Sequence, residues 1–69
     1  MDNKFSERVK ELRDDRELSQ GDLALEFKVT RQTVSAWEKG IQETDFDTLI
    51  KLAEFFKVSS DYILGITDF

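Results

Sequence analysis

Cysteine, histidine and proline are all absent from the 69 residues, and only three glycines occur. Without cysteine there is no disulfide framework, and without cysteine or histidine only carboxylates remain as metal ligands. No cofactor and no metal are therefore expected. No apolar run approaches the roughly 20 residues needed to cross a bilayer, and Met1-Asp2-Asn3-Lys4 lacks a signal-peptide pattern. The expectation is a soluble, cytoplasmic chain with no membrane association. The sequence also lacks a phosphate-binding loop and any nucleophile–histidine pair, so no enzyme chemistry is expected. The acidic pairs Asp14-Asp15 and Asp45/Asp47 read as caps and solvated surface rather than as acid catalysts or a metal site.

Basic charge is scarce too. Ten Lys and Arg stand against 15 Asp and Glu, a formal net charge of −5. A nucleic-acid binder usually shows the opposite balance. Whole-molecule charge governs solubility and steering, however, while binding depends on the face presented. From Lys28 to Gly40 three bases (Lys28, Arg31, Lys39) meet one acid, Glu38, for a local charge of +2. Asp14, Asp15, Glu17, Asp45, Asp47 and Glu54 lie outside that stretch. The expected molecule is polarised.

What is present is helical. A chain of this length holds one small core, and residues 1–69 are read as one all-α domain, a compact five-helix bundle. Phe5, Val9 and Leu12 recur at helical spacing in a first helix from about Lys4 to Asp15. Ser19, with Asp22 three positions on, is a capping box for a short second helix reaching Phe27. Thr30 is the N-cap of a third helix, Arg31 to Lys39, which Gly40 stops. Thr44-Asp45-Phe46-Asp47 repeats the capping pattern before a fourth helix ending near Phe56. Its apolar stripe comprises Phe46, Leu49, Ile50, Leu52, Ala53 and Phe56. Ser59-Ser60-Asp61 opens a last short helix through Leu64, ended by Gly65. Trp37, Phe46, Phe56 and Tyr62 are expected in the core.

Two short helices joined by the tight turn Lys28-Val29-Thr30 have helix-turn-helix spacing, over about residues 19–39. At 100° per residue, Val34 and Trp37 fall together on one side of the third helix, with Glu38 beside Val34. Gln32, Ala36 and Lys39 fall on the other side, Ser35 at its edge, and Arg31 in the first turn reaches past the helix end. That outward set suits a major groove: arginine pairs with guanine, glutamine with adenine, and Ser35 and Ala36 permit close approach. Gln20 and the free amides at the second helix's start can meet a backbone phosphate. Taken alone, a polar helix face is a solvated face, and periodicity by itself supports only a small helical bundle.

The string Leu18-Ser19-Gln20, Leu23-Ala24, Val29 through Ser35, and Trp37-Glu38-Lys39-Gly40 resembles the Cro/cI-type helix-turn-helix family. The flanks are similar as well: Val9 through Arg13 before it, and Leu49, Leu52-Ala53, Phe56 through Ser59, Asp61-Tyr62 and Leu64-Gly65 after it. The resemblance implies a phage-repressor-like five-helix domain that binds operator DNA, commonly as a homodimer on a palindrome. It places Arg31, Gln32, Ala36 and Lys39 at base edges, with Gln20 touching backbone and sometimes base; Ser35, at the edge of that face, is read as a further base contact. Thr33 and the loop around Gly40 fall where the family usually meets phosphates, and Ser19 and Lys28 are expected to add phosphate contacts. Arg13 and Glu38 match a pair that often links the first helix to the recognition helix. Phe55, Ile63, Ile66 and Phe69 lie where the family often dimerises, and are expected to form that patch.

Three departures stand out. A turn position often held by glycine is Lys28, where a left-handed backbone costs roughly 1–2 kcal/mol. The loop after Gly40, often basic and ending in proline, is Ile41-Gln42-Glu43-Thr44. The third departure is the acidic balance itself. Two other readings stay open on the sequence: a protein-interaction module such as an antitoxin or anti-repressor, and the DNA-binding part of a longer regulator.

Overall fold

In a computed structural model, which describes residues 4–68, the chain folds as five helices. These are α1 (Phe5–Asp15), α2 (Gln20–Phe27), α3 (Arg31–Glu38), α4 (Phe46–Phe56) and α5 (Ser60–Leu64). No strand occurs among the described residues. Four starts are capped by side chains that accept from a backbone N–H: Ser19 from Asp22, Thr30 from Thr33, Asp45 from Thr48 and Ser59 from Tyr62. Each bond satisfies one of the donors that a helix's first turn leaves without a partner. At α2 the Asp22 carboxylate also accepts from the Ser19 N–H at 3.0 Å, completing the capping box. The fourth cap is Asp45 rather than Thr44, and α1 and α3 are one residue shorter than the spacing suggests, Lys4 and Lys39 being their caps.

All five helices stop in the same way. The residue two beyond each C-terminal cap, or one beyond it, is reached through a left-handed residue: Glu17, Lys28, Gly40, Lys57 and Gly65 have φ between 56° and 83°. The next N–H then closes onto the carbonyl five residues back: Leu18 to Arg13, Val29 to Ala24, Ile41 to Ala36, Val58 to Ala53 and Ile66 to Asp61. This is the Schellman closure, which commonly carries an apolar residue just past the left-handed one. Leu18, Val29 and Val58 use that position to pack against the core. Ile41 and Ile66 do not, and remain exposed.

Glycine is needed at Gly65 on two counts. Its φ is +83°, and a Cβ there would sit 2.8 Å from the Lys4 side chain, whose backbone N–H bonds the Leu64 carbonyl. Lysine fills the equivalent place after α4, at φ 58° and exposed to solvent. Lys57→Gly is therefore expected to stabilise the fold by about 0.5–1 kcal/mol, the left-handed cost less glycine's extra chain entropy. Thermal unfolding should show the midpoint rising by about 4 °C.

Each helix sends one completely buried side chain to the centre: Val9, Leu23, Val34, Leu52 and Ile63. α3 packs on α1 and α2, while α5 packs on α1 and α4. Trp37 is 2% exposed and meets the rings of Phe5 and Phe27 edge-on, at 6.3 and 6.5 Å between centroids. Phe56 is buried as the spacing suggests.

Three expectations about apolar residues need correction. Phe46 is 83% exposed, and Ile50, one turn on, is also exposed. Both lie on the flank of α4, because Leu49, Leu52, Ala53 and Phe56 alone form the buried stripe. Ile63, expected on a surface patch, is completely buried, since α5 is wedged between α1 and α4 and must turn one side chain inward. Tyr62 is half-buried, its ring covered by the Arg8 guanidinium at 4.2 Å.

Candidate nucleic-acid interface

The turn between α2 and α3 is built from a left-handed Lys28, a Val29 that packs inward, and Thr30, whose hydroxyl caps α3. These features fix the direction in which α3 leaves the turn. Val34 and Trp37 then anchor α3 to the core. Its remaining faces are set by rotation: Arg31, Gln32 and Lys39 are exposed, while Thr33, Ser35 and Ala36 are half-buried at the edges. Lys28, in the turn before α3, and Gly40, just past its end, are exposed as well. Rotation about α3 thus groups Arg31, Gln32 and Lys39 on one exposed ridge flanked by small residues, with Lys28 exposed in the turn before it.

Two of the expected phosphate contacts already have work inside the chain. The Ser19 hydroxyl accepts from the Asp22 N–H at 3.0 Å. The Thr33 hydroxyl lies 3.0 Å from that of Thr30. Asp22 sits in the first turn of α2, and its hydrogen bonds from the Ser19 backbone and hydroxyl hold its carboxyl below the ordinary range. It stays charged where an incoming phosphate would approach, so Ser19 is the less favourable anion contact.

Beneath the ridge, one ion pair joins three elements. Arg13 of α1 donates from Nε to Glu38 Oε2 at 2.6 Å and from Nη2 to Oε1 at 3.1 Å. Its Nη1 donates to the Leu18 carbonyl at 2.7 Å, which ties the start of α2 to the same group. The Glu38 side chain is only 5% exposed. Burial pushes its carboxyl pKa up, but the bonds from Arg13 and Gln20 outweigh this and hold it below the usual value. The one acid of this stretch is therefore spent internally, leaving the stretch with the charge of its three bases.

Sequence reasoning missed one contact here. Gln20, the first residue of α2, donates from Nε2 to Glu38 Oε1 at 3.1 Å. The partners are 18 residues apart, so no periodicity could reveal the bond. Of the three described residues expected in a dimer patch, only Ile66 is freely exposed. Phe55 is half-buried, edge-on to Phe27 and Phe56 with Arg16 nearby; Ile63 is in the core; Phe69 lies outside the described residues. Among the described residues no cluster of His, Cys, Asp and Glu is arranged to hold a metal ion. No helix among them is long and apolar enough to cross a membrane.

The fold is shared with known proteins. The helix-turn-helix family matches residues 9–63. The uncharacterized HTH-type transcriptional regulator YqaE of Bacillus subtilis is 38% identical over 60 residues, covering 87% of this chain and 52% of that protein. The cryptic phage CTXphi transcriptional repressor RstR of Vibrio cholerae is 39% identical over 54 residues, covering 78% and 49%. The chain spans about half the length of these relatives. Among solved structures, a transcriptional regulator from Listeria innocua superposes with a TM-score of 0.89 at 28% identity, over 94% of this chain and 61% of that one. The DNA-binding domain of the P22 C2 repressor superposes with a TM-score of 0.80 at 26% identity, over 93% and 86%. The family and fold are those of DNA-binding transcriptional regulators rather than enzymes. On sequence motif and fold alike, this chain belongs to the Cro/cI-type helix-turn-helix family.

Proposed function

We propose that this chain is the DNA-reading part of a transcriptional regulator, a phage-type repressor acting in the cytoplasm, that places α3 in the major groove of an operator. The observation that carries this reading is the α3 ridge: Arg31 and Gln32 are exposed in the helix's first turn, and the local acid is paired with Arg13 beneath them. Residues near the start of a recognition helix reach base edges first. Arg31 and Gln32 carry the side chains that pair bidentately with guanine and adenine. Ser35 and Ala36 line the ridge as close-approach positions, and Lys39 extends it. Lys28, Thr33 and Gly40 bracket it as backbone contacts.

The protein binds as a homodimer on a two-fold symmetric site, with half-sites about one helical turn apart. With a net charge of −5, non-specific attraction to phosphates is weak, and affinity leans on base contacts and on pairing of two copies. The test is a binding selection on random duplex DNA at fixed moderate salt, run in parallel with Arg31→Ala/Gln32→Ala. The parent should enrich a two-fold symmetric motif. The double variant should lose about 10²-fold or more in affinity for that motif, at about 1–3 kcal/mol for each bidentate pair. Absence of any motif from folded parent protein would favour an alternative in which the same face meets a protein.

A further inference from the structure

We propose that Glu38 is a positioning residue for base reading: its buried carboxylate pins the Gln20 side-chain amide in one orientation, presetting Gln20 as a reader of adenine. The inference rests on the DNA-binding reading given above.

The orientation follows from what each atom can do. An ionised carboxylate only accepts hydrogen bonds, whereas an amide has a donating and an accepting end. Glu38 is itself held at both oxygens. Its Oε2 is held by Arg13 Nε at 2.6 Å and its Oε1 by Arg13 Nη2 at 3.1 Å. Arg13 is fixed in turn by the Leu18 carbonyl at 2.7 Å. Gln20 Nε2 lies 3.1 Å from Glu38 Oε1. Flipping the amide would put its carbonyl oxygen at that distance from a charged oxygen, with no proton between them. One amide orientation is therefore allowed and the other is excluded.

With one N–H spent on Glu38, the carbonyl oxygen and the second N–H are what Gln20 has left to offer a ligand. Phosphate oxygens are acceptors and cannot satisfy that carbonyl. Adenine can: in the major groove it offers a donor at N6 and an acceptor at N7, side by side. Gln20 stands at the first residue of α2 and Glu38 at the last residue of α3, so the reader and its brace come from the two helices of the motif. A preset amide makes its base contact without first losing the freedom to flip, which sharpens discrimination.

Glu38→Gln tests this directly. The new side chain has one oxygen, which Arg13 Nε takes. Its amino group then faces Gln20, which must flip to meet it and turn its own amino group outward. Selection on random duplex DNA would be run with the parent, Gln20→Ala and Glu38→Gln. Gln20→Ala identifies the base pair that Gln20 reads. Glu38→Gln is expected to cut the adenine preference at that same pair by about tenfold, leaving the other positions of the motif unchanged. A loss of structure alone would weaken every position together.

A second readout needs neither DNA nor a stable variant. In the parent protein, the Gln20 side-chain amide protons observed by NMR should be widely split and slow to exchange, and should move as Glu38 is protonated in an acid titration. Averaged, fast-exchanging Gln20 protons would overturn the pinning. A parent motif on which Glu38→Gln has no effect, or acts at another base pair than Gln20→Ala, would overturn the inference alone. A folded parent that enriches no motif would overturn the DNA-binding reading and this inference with it.

Discussion

Arg13→Met is expected to remove about 3 kcal/mol of stability, toward the low end for breaking a buried ion pair by deleting one partner. For a domain of this size, that is around half of the total. The loss is large because Glu38 would keep its burial while losing both guanidinium bonds, and because the Leu18 carbonyl would lose its donor as well. The pH dependence distinguishes this from lost packing. In the parent, the Glu38 carboxyl is held below its ordinary pKa, so the stability it contributes is present above the unfolded value, about 4.3, and is lost as pH falls through the lower folded value. In Arg13→Met the upward push of burial dominates, and protonation of Glu38 relieves the strain. The gap between variant and parent should therefore narrow as pH falls from 7 toward about 4. Urea unfolding of both proteins across that range measures it. A gap that stays constant with pH would mean that Arg13 stabilises the fold by packing alone.

The parts of this fold that were legible in the sequence are those encoded locally. Ser19, Thr30 and Ser59 stand three residues before the N–H groups they cap, so chain spacing alone betrays them. At α4 the sequence offers two neighbouring cap types, Thr44 and Asp45, and it is Asp45, the better capping type, that accepts from the Thr48 N–H. Helix ends were legible at Gly40 and Gly65. At Lys28 the left-handed backbone was expected from the resemblance, but nothing local marks Glu17 or Lys57, since Glu and Lys occur everywhere on helical surfaces.

The same divide runs through the candidate site. The outward face of α3 follows from rotation about a helix axis once Val34 and Trp37 are assigned inward. Ser19 and Thr33 were harder to judge, because their hydroxyls serve the caps of α2 and α3. The Gln20–Glu38 bond is a product of how α2 and α3 pack. The sequence holds both residues but says nothing of their meeting.

The second large effect concerns α5, where residue type alone misleads. Ile63 and Ile66 are the same amino acid three positions apart, a spacing that places side chains on neighbouring parts of a helical face. Yet Ile63 is completely buried while Ile66 is 72% exposed. The helix ends at Leu64, and Gly65 turns left-handed, so Ile66 leaves the path that a continuing helix would have given it. Ile63→Ala is accordingly expected to cost about 3–4 kcal/mol, through lost burial and the cavity left among five helices that have little room to collapse. Ile66→Ala should stay within about 0.5 kcal/mol in the monomer. Urea unfolding at low protein concentration, where self-association contributes little, compares the two directly. Equal losses would mean that Ile66 packs as Ile63 does. A loss at Ile66 that grows with protein concentration would instead place it against a second copy, keeping one residue of the expected dimer patch while Ile63 remains in the core.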